Sequence, residues 1–196
     1  MLAGGGSRRL GGVPKGLEVV GERRIIDRVA SVLRTVTGDL LLAANDPDAS
    51  SWLPGVAVVS DVHAGAGGLA GVEAALSRGQ DALVVAWDMP FVSTPVLQMV
   101  IDAAQLHDAD VALPASDSPY GFEPFCAYYA ARVRERLTEF LVGGAGAARD
   151  FLRRLVRVHV IPAAEIARIG DARRLLFSVN TPADLARARA MAKAPE

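Results

Sequence analysis

Four short apolar runs constrain the fold most: "LLLAA" (40–44), "VAVVS" (56–60), "ALVVA" (82–86) and "DVALP" (110–114). Each is bounded by Asn, Asp, Gly, Ser or Pro and lacks the polar alternation of a half-wet strand, so each reads as a strand covered on both faces. Such strands need helices above and below them. The intervening residues supply these: Ile25, Ile26, Val29, Leu33 and Val36 share one helical face, as do Leu97, Val100, Ile101 and Ala104. The alternation predicts an α/β protein, a three-layer α/β/α Rossmann-like arrangement around a mostly parallel sheet. "FCAYY" (125–129) follows the turn-rich "DSPYGFEP" (117–124) and reads as an antiparallel strand, so the sheet is expected to be partly mixed. Near the end, Thr181 is placed as a helix N-cap, with Pro182 at the first helical position and Asp184 three residues after the cap. With 196 residues and no evident linker or repeat, residues 1–196 are expected to form a single domain.

Composition narrows the partners. A formal charge of −1 gives no bulk attraction to nucleic acid or anionic lipid. The apolar runs are far shorter than the ~20 residues that span a bilayer, and no apolar signal core follows the start. A soluble cytoplasmic protein, with no nucleic acid and no membrane partner, is the expectation. Cys126 is the sole cysteine, which excludes an internal disulfide, and its apolar setting suits an inert core thiol. His63, His107 and His159 show no ligand spacing with it or with one another, which disfavours zinc.

In doubly wound sheets, ligands sit beyond the carboxyl ends of the strands. Asn45, Asp61 and Asp88 each follow a predicted strand and so share that rim. The opening "MLAGGGSRRLGGVPKGL" adds five glycines within residues 4–12, together with Arg8, Arg9 and Lys15. Glycines let the backbone approach a ligand closely and aim its N–H groups at phosphate oxygens. Lys15 and Lys193 are the only lysines among 21 basic residues, and a compact ammonium suits a phosphate in a tight loop better than arginine's planar fork. A solvated tail carrying a solvated lysine has the same composition. Neither the P-loop nor the dinucleotide fingerprint fits the spacing, because Lys15 lies between Pro14 and Gly16. Asp88 in "VVAWDMPF" suits magnesium, which takes a carboxylate plus substrate phosphates; an Asx-type turn cap would look alike. Asp61, followed by Gly65, Gly67 and Gly68, leads into a helix near Leu69 and could hold a base or ribose, or be a flexible turn. Asn45 in "AANDPD" is also ordinary turn chemistry.

Together, "LAGGGSRRLGGVPKGL", "WDMP", "GGLAG" and "VNTPADL" resemble the molybdenum cofactor guanylyltransferase family over essentially the whole chain. The resemblance implies the nucleotidyltransferase version of the fold and transfer of GMP from GTP to the phosphate of molybdopterin or molybdenum-molybdopterin, with release of pyrophosphate. It implies nucleotide binding by Leu2, Ala3, Gly4, Gly5, Gly12, Lys15, Asn45, Asp61, Gly68 and Asp88, and a catalytic set of Lys15, Arg9 and Asp88. Asp88 is also the implied ligand for Mg2+, or Mn2+ in its place, and Asn180 lies on the acceptor side. Implied partners are GTP, the pterin, an upstream molybdenum insertion protein, and acceptor molybdoenzymes or their chaperones. Two departures stand out: only Met1 and Leu2 precede Ala3 where a longer first strand is usual, and Ser178 stands where the family often has Asn. A cytidylyltransferase for the same pterin, another small-molecule NTP transferase, and a catalytically silent nucleotide-binding adaptor are the alternatives.

Overall fold

The computed structural model describes residues 1–3, 13–63, 65–144 and 146–193. In chain order its elements are β1 (Val19–Val20), β2 (Arg23–Arg24), α1 (Ile25–Val36), β3 (Leu41–Ala43), α2 (Ala49–Trp52), β4 (Ala57–Val59), α3 (Gly68–Leu76), β5 (Ala82–Val85), α4 (Thr94–Leu106), β6 (Val111–Pro114), β7 (Cys126–Tyr129), α5 (Arg134–Val142), α6 (Ala148–Leu152), β8 (Val158–Ile161), α7 (Ala163–Ile166), α8 (Ala172–Leu175) and α9 (Pro182–Met191).

β3 and β4 pair in parallel, while β5, β7, β6 and β8 lie side by side in that order. Residues Met1–Ala3 join the two groups. Leu2 N–H donates to Val85 O at 2.8 Å and Leu2 O accepts from Trp87 N–H at 3.0 Å; on the other side Ala3 N–H donates to Ala43 O at 2.8 Å and Met1 O accepts from Ala43 N–H at 2.9 Å. The order across the sheet is therefore β4, β3, Met1–Ala3, β5, β7, β6, β8. The short first strand makes ladder bonds to both neighbours. Only β7 runs against the rest, antiparallel to β5 and β6, whereas β6 and β8 are parallel.

The side-chain period of two divides each strand between two apolar layers. Met1, Ala3, Leu42 and Val85 pack with Ile25, Val29, Leu97 and Leu185 from α1, α4 and α9. Leu2, Ala43 and Val84 pack on the other face with Leu69, Leu137 and Phe151 from α3, α5 and α6. Burying each large apolar side chain contributes about 1.5–3 kcal/mol, so both helical layers are held chiefly through the sheet. α9 starts as expected: Thr181 Oγ1 accepts from Asp184 N–H at 3.1 Å, and Asp184 Oδ2 accepts from Thr181 N–H at 2.8 Å. This reciprocal cap fixes the segment just before the helix.

Candidate active site

The lysine is positioned by a tryptophan floor. Lys15–Leu17 forms one turn of 3-10 helix, with Leu17 N–H bonded to Pro14 O at 2.8 Å. Gly16 rests on the Trp87 indole, and a Cβ there would lie 2.2 Å from a ring carbon, so only glycine lets the turn settle. Trp87 in turn stacks on Trp52 with ring centroids 4.9 Å apart. The turn cannot sink further, and Lys15 reaches over the next residue in the chain after Trp87, which is Asp88.

Lys15 Nζ is ion-paired with Asp88 Oδ2 and also donates to Asn180 Oδ1 at 2.9 Å. Both charged side chains are largely covered, at 13% and 9% exposure. Asp88 O accepts from Val179 N–H at 2.8 Å, which brings Ser178–Thr181 to the rim beside it. The resemblance groups Lys15 with Asp88, and the structure brings the two side chains into direct contact, where the largely covered ammonium and carboxylate neutralise each other. Among the described residues, Asp88 Oδ1 accepts no hydrogen bond.

Asn45 and Asp61 form a second pair at the ends of β3 and β4. Asn45 Nδ2 donates to Asp61 Oδ2 at 2.7 Å, and Asp61 N–H donates to Asn45 Oδ1 at 2.9 Å. Asp61 borders a shallow concavity with Leu2, Ala43, Gly67, Gly68 and Gly71. Gly67 has φ +68°, a conformation side chains avoid, and a Cβ at Gly71 would lie 2.9 Å from the Leu2 side chain. A Cβ at Gly68 would strike the Phe125 ring at 2.4 Å. The glycines thus hold the start of α3 against strand residues and leave a flat, carboxylate-edged surface suited to a planar ring bearing N–H donors.

The structure therefore assembles Leu2, Asn45, Asp61 and Gly68 on one side of the first strand and Lys15, Asp88 and Asn180 on the other. Ala3 is buried in the core beside β3. Gly4, Gly5, Arg9 and Gly12 lie outside the described residues.

Beyond Asn180 opens a cavity of about 890 Å³ whose lining includes Ser116, Glu123, Phe177, Ser178 and Arg187. Ser178, which departs from the family pattern, faces this space. Ser116 Oγ donates to Glu123 Oε1 at 2.7 Å. Burial pushes the Glu123 carboxyl above the usual range, more than the Ser116 and Ser118 hydrogen bonds pull it down, and the Asp88 charge adds to the rise. The Arg187 guanidinium lies over the Phe177 ring at 5.1 Å. Sequence reasoning missed Ser116, Glu123 and Phe177. "DSPYGFEP" reads as a turn, and its one usable signal is a glutamate three residues before a buried strand.

The remaining titratable candidates make no hydrogen bond to Lys15, Asp88 or Asn180 among the described residues. Burial, with the Glu123 charge, pushes the Cys126 thiol up to about 12. His107 and His159 stack at 3.8 Å, and His63 bonds to Glu73. Among the described residues no group of three or more His, Cys, Asp or Glu could hold a metal ion, and no helix is long and apolar enough to cross a membrane. One carboxylate, with an oxygen that no described donor meets, fits a divalent cation that takes its other ligands from substrate phosphates and water.

The family model for the MobA-like NTP transferase domain matches residues 1–159. The chain is 35% identical over 195 residues to a probable molybdenum cofactor guanylyltransferase of Pelotomaculum thermopropionicum, spanning 98% of this chain and 92% of the relative. It is 32% identical over 197 residues to the molybdenum cofactor guanylyltransferase of Desulfosudis oleivorans, spanning 99% and 95% respectively. Among solved structures, molybdopterin-guanine dinucleotide biosynthesis protein A from Archaeoglobus fulgidus matches with a TM-score of 0.82 at 27% identity, over 97% of this chain and 95% of that one.

Proposed function

The chain belongs to the MobA-like NTP transferases, and we propose that it transfers GMP from GTP to the phosphate of molybdenum-molybdopterin, releasing pyrophosphate and forming the guanine dinucleotide cofactor. The names of the relatives support the substrates. The observation that carries the chemistry is the single ammonium of Lys15, shared by Asp88 and Asn180 at the mouth of a large cavity.

An arriving triphosphate is a stronger partner for Lys15 than one carboxylate. Lys15 would turn to the phosphates and leave Asp88 free. Asp88, together with phosphate oxygens, would hold Mg2+ or Mn2+, which when bound neutralises charge on the triphosphate. Asp61, oriented by Asn45, would accept the N–H donors of the guanine edge, with Leu2 and Gly68 against the ring. Asn180, once released by Lys15, would face the acceptor phosphate in the cavity. An acceptor phosphate oxygen forms the new bond to the α-phosphorus while the bond to the bridging oxygen breaks, and that electron pair departs with pyrophosphate. No covalent enzyme intermediate is required, so the protein acts by positioning and charge neutralisation. Gly4, Gly5, Gly12 and Arg9 take their proposed phosphate contacts from motif position, as does Ala3. Supply of the pterin by a molybdenum insertion protein, delivery to a molybdoenzyme or its chaperone, and a cytoplasmic setting belong to the same proposal.

Pyrophosphate release should be measured with molybdopterin and magnesium against GTP, CTP and ATP in turn. GTP is expected to be the preferred donor. Preference for CTP would overturn the guanine assignment, and no release with any nucleotide would leave a binding protein in place of a transferase.

A further inference from the structure

Among the described residues near the site, Glu73 is the one buried charged residue that the proposed reaction leaves unexplained. It lies in the second turn of α3, 4% exposed, in a helix otherwise made of glycine and apolar residues, "GLAGVEAAL". A buried carboxylate is costly unless it is fully paired, and an apolar residue would fill the same space without that cost. Both oxygens are paired here. His63 Nδ1 lies 2.7 Å from Oε2, and Thr138 Oγ1 of α5 donates to Oε1 at 2.6 Å.

What this arrangement fixes is His63. The residue sits midway along the 61–67 connection, whose first residue is Asp61 and whose last, Gly67, precedes Gly68 at the start of α3. His63 O also accepts from Ala66 N–H at 3.3 Å, so both the side chain and the main chain of His63 are tied down. Asp61 is tied to Asn45 at one end, Gly67 and Gly68 to α3 at the other, and the imidazole staples the middle to the same helix. Asp61, Gly67, Gly68 and Gly71 border one shallow surface beside this tie.

We propose that His63 is a positioning residue of the nucleobase site: Glu73 and Thr138 hold its ring, and the ring holds the loop that presents Asp61 and the Gly67–Gly68 edge to a purine. This rests on the guanosine reading of that concavity given above.

The test is a KM-against-kcat comparison in the pyrophosphate assay for wild type, His63→Ala, His63→Asn and Thr138→Val. Loss of a hydrogen bond to a carboxylate should raise the KM for GTP about tenfold in His63→Ala. The kcat at saturating GTP and the KM for molybdopterin should stay within about twofold, the pattern of lost substrate binding alone. His63→Asn, whose amide nitrogen takes the place of Nδ1, should recover most of the loss. Thr138→Val, which removes the carboxylate's other donor without touching the loop, should give a smaller rise in the same direction. An unchanged KM for GTP in His63→Ala while the wild type prefers GTP would overturn this inference and leave the guanosine reading standing. So would a uniform loss in kcat and both KM values, or an Asn variant as impaired as Ala. A wild type with no GTP preference would remove the guanosine reading itself, and this inference with it.

Discussion

Asp88 and Asp110 are the same residue type, almost equally buried at 6% and 4% exposure, at opposite ends of parallel strands. Their surroundings differ in one respect. Asp110 Oδ1 accepts from Arg132 Nε at 2.7 Å and from Arg157 Nη2 at 3.3 Å, and Oδ2 accepts from Arg157 N–H at 3.4 Å. Asp88 has one ammonium, shared with Asn180, and an oxygen facing no donor among the described residues. Burial alone would raise the Asp110 carboxyl, but the Arg132 hydrogen bond, the Arg157 main-chain N–H and both positive charges hold it below the usual range. Two cations turn a buried aspartate into a brace that nothing displaces. Among the described residues Asp88 has one cation, which leaves it able to trade partners, as a site for a metal-bound polyanion requires.

The comparison breaks most readily at Lys15. Lys15→Ala should lower kcat/KM for pyrophosphate release about 10²–10³-fold, the usual loss for one preorganised charge-stabilising group. Lys15→Arg should recover little, since a planar fork does not fit a turn pressed onto Trp87. A Lys15→Ala enzyme near wild-type activity would make the Asp88 pair as structural as the Asp110 one.

Asp110→Asn sharpens the contrast from the other side. It should cost about 2 kcal/mol in urea unfolding at neutral pH and leave kcat unchanged. Because the folded carboxyl lies below its unfolded value, its stabilisation is complete above the unfolded carboxylate pKa and is lost as pH falls through the folded one. The gap between wild type and Asp110→Asn should therefore close on acidification, and a gap independent of pH would show that the arginines act by packing.

Glu123 should give the smallest effect. Its carboxyl is raised, so folding favours the protonated form and the charge opposes stability above the usual carboxylate range. Glu123→Gln should raise Tm by about 1–3 °C at neutral pH, with the gain vanishing below the unfolded carboxylate pKa. A Tm lowered at neutral pH would mean the ionised carboxylate is itself a structural partner.

The layers were legible because buried parallel strands leave unbroken apolar runs, and β3, β4, β5 and β6 each fall within one. The antiparallel β7 and the α9 cap were equally plain, the first from its turn, the second from Thr-Pro spacing. β8 and the short helices α6 to α8 were not read in advance. β8 carries His159 and an exposed Val160 at the sheet edge, so its apolar pattern is weak. Asn45, Asp61 and Asp88 could be found because strand ends in such a sheet converge. The cavity wall could not, since Ser116, Glu123 and Phe177 meet only through tertiary packing of two turn-rich segments. Nor could the direct contact of Lys15 with Asp88, because sequence spacing carries no distance.

In the proposed reaction Asp88 is the carboxylate that the substrate frees from Lys15. Pyrophosphate release by Asp88→Asn, with GTP, molybdopterin and saturating magnesium, tests this most directly. The rate should fall about 10²–10³-fold while the variant still unfolds in one cooperative transition. Turnover at the wild-type rate would contradict the account.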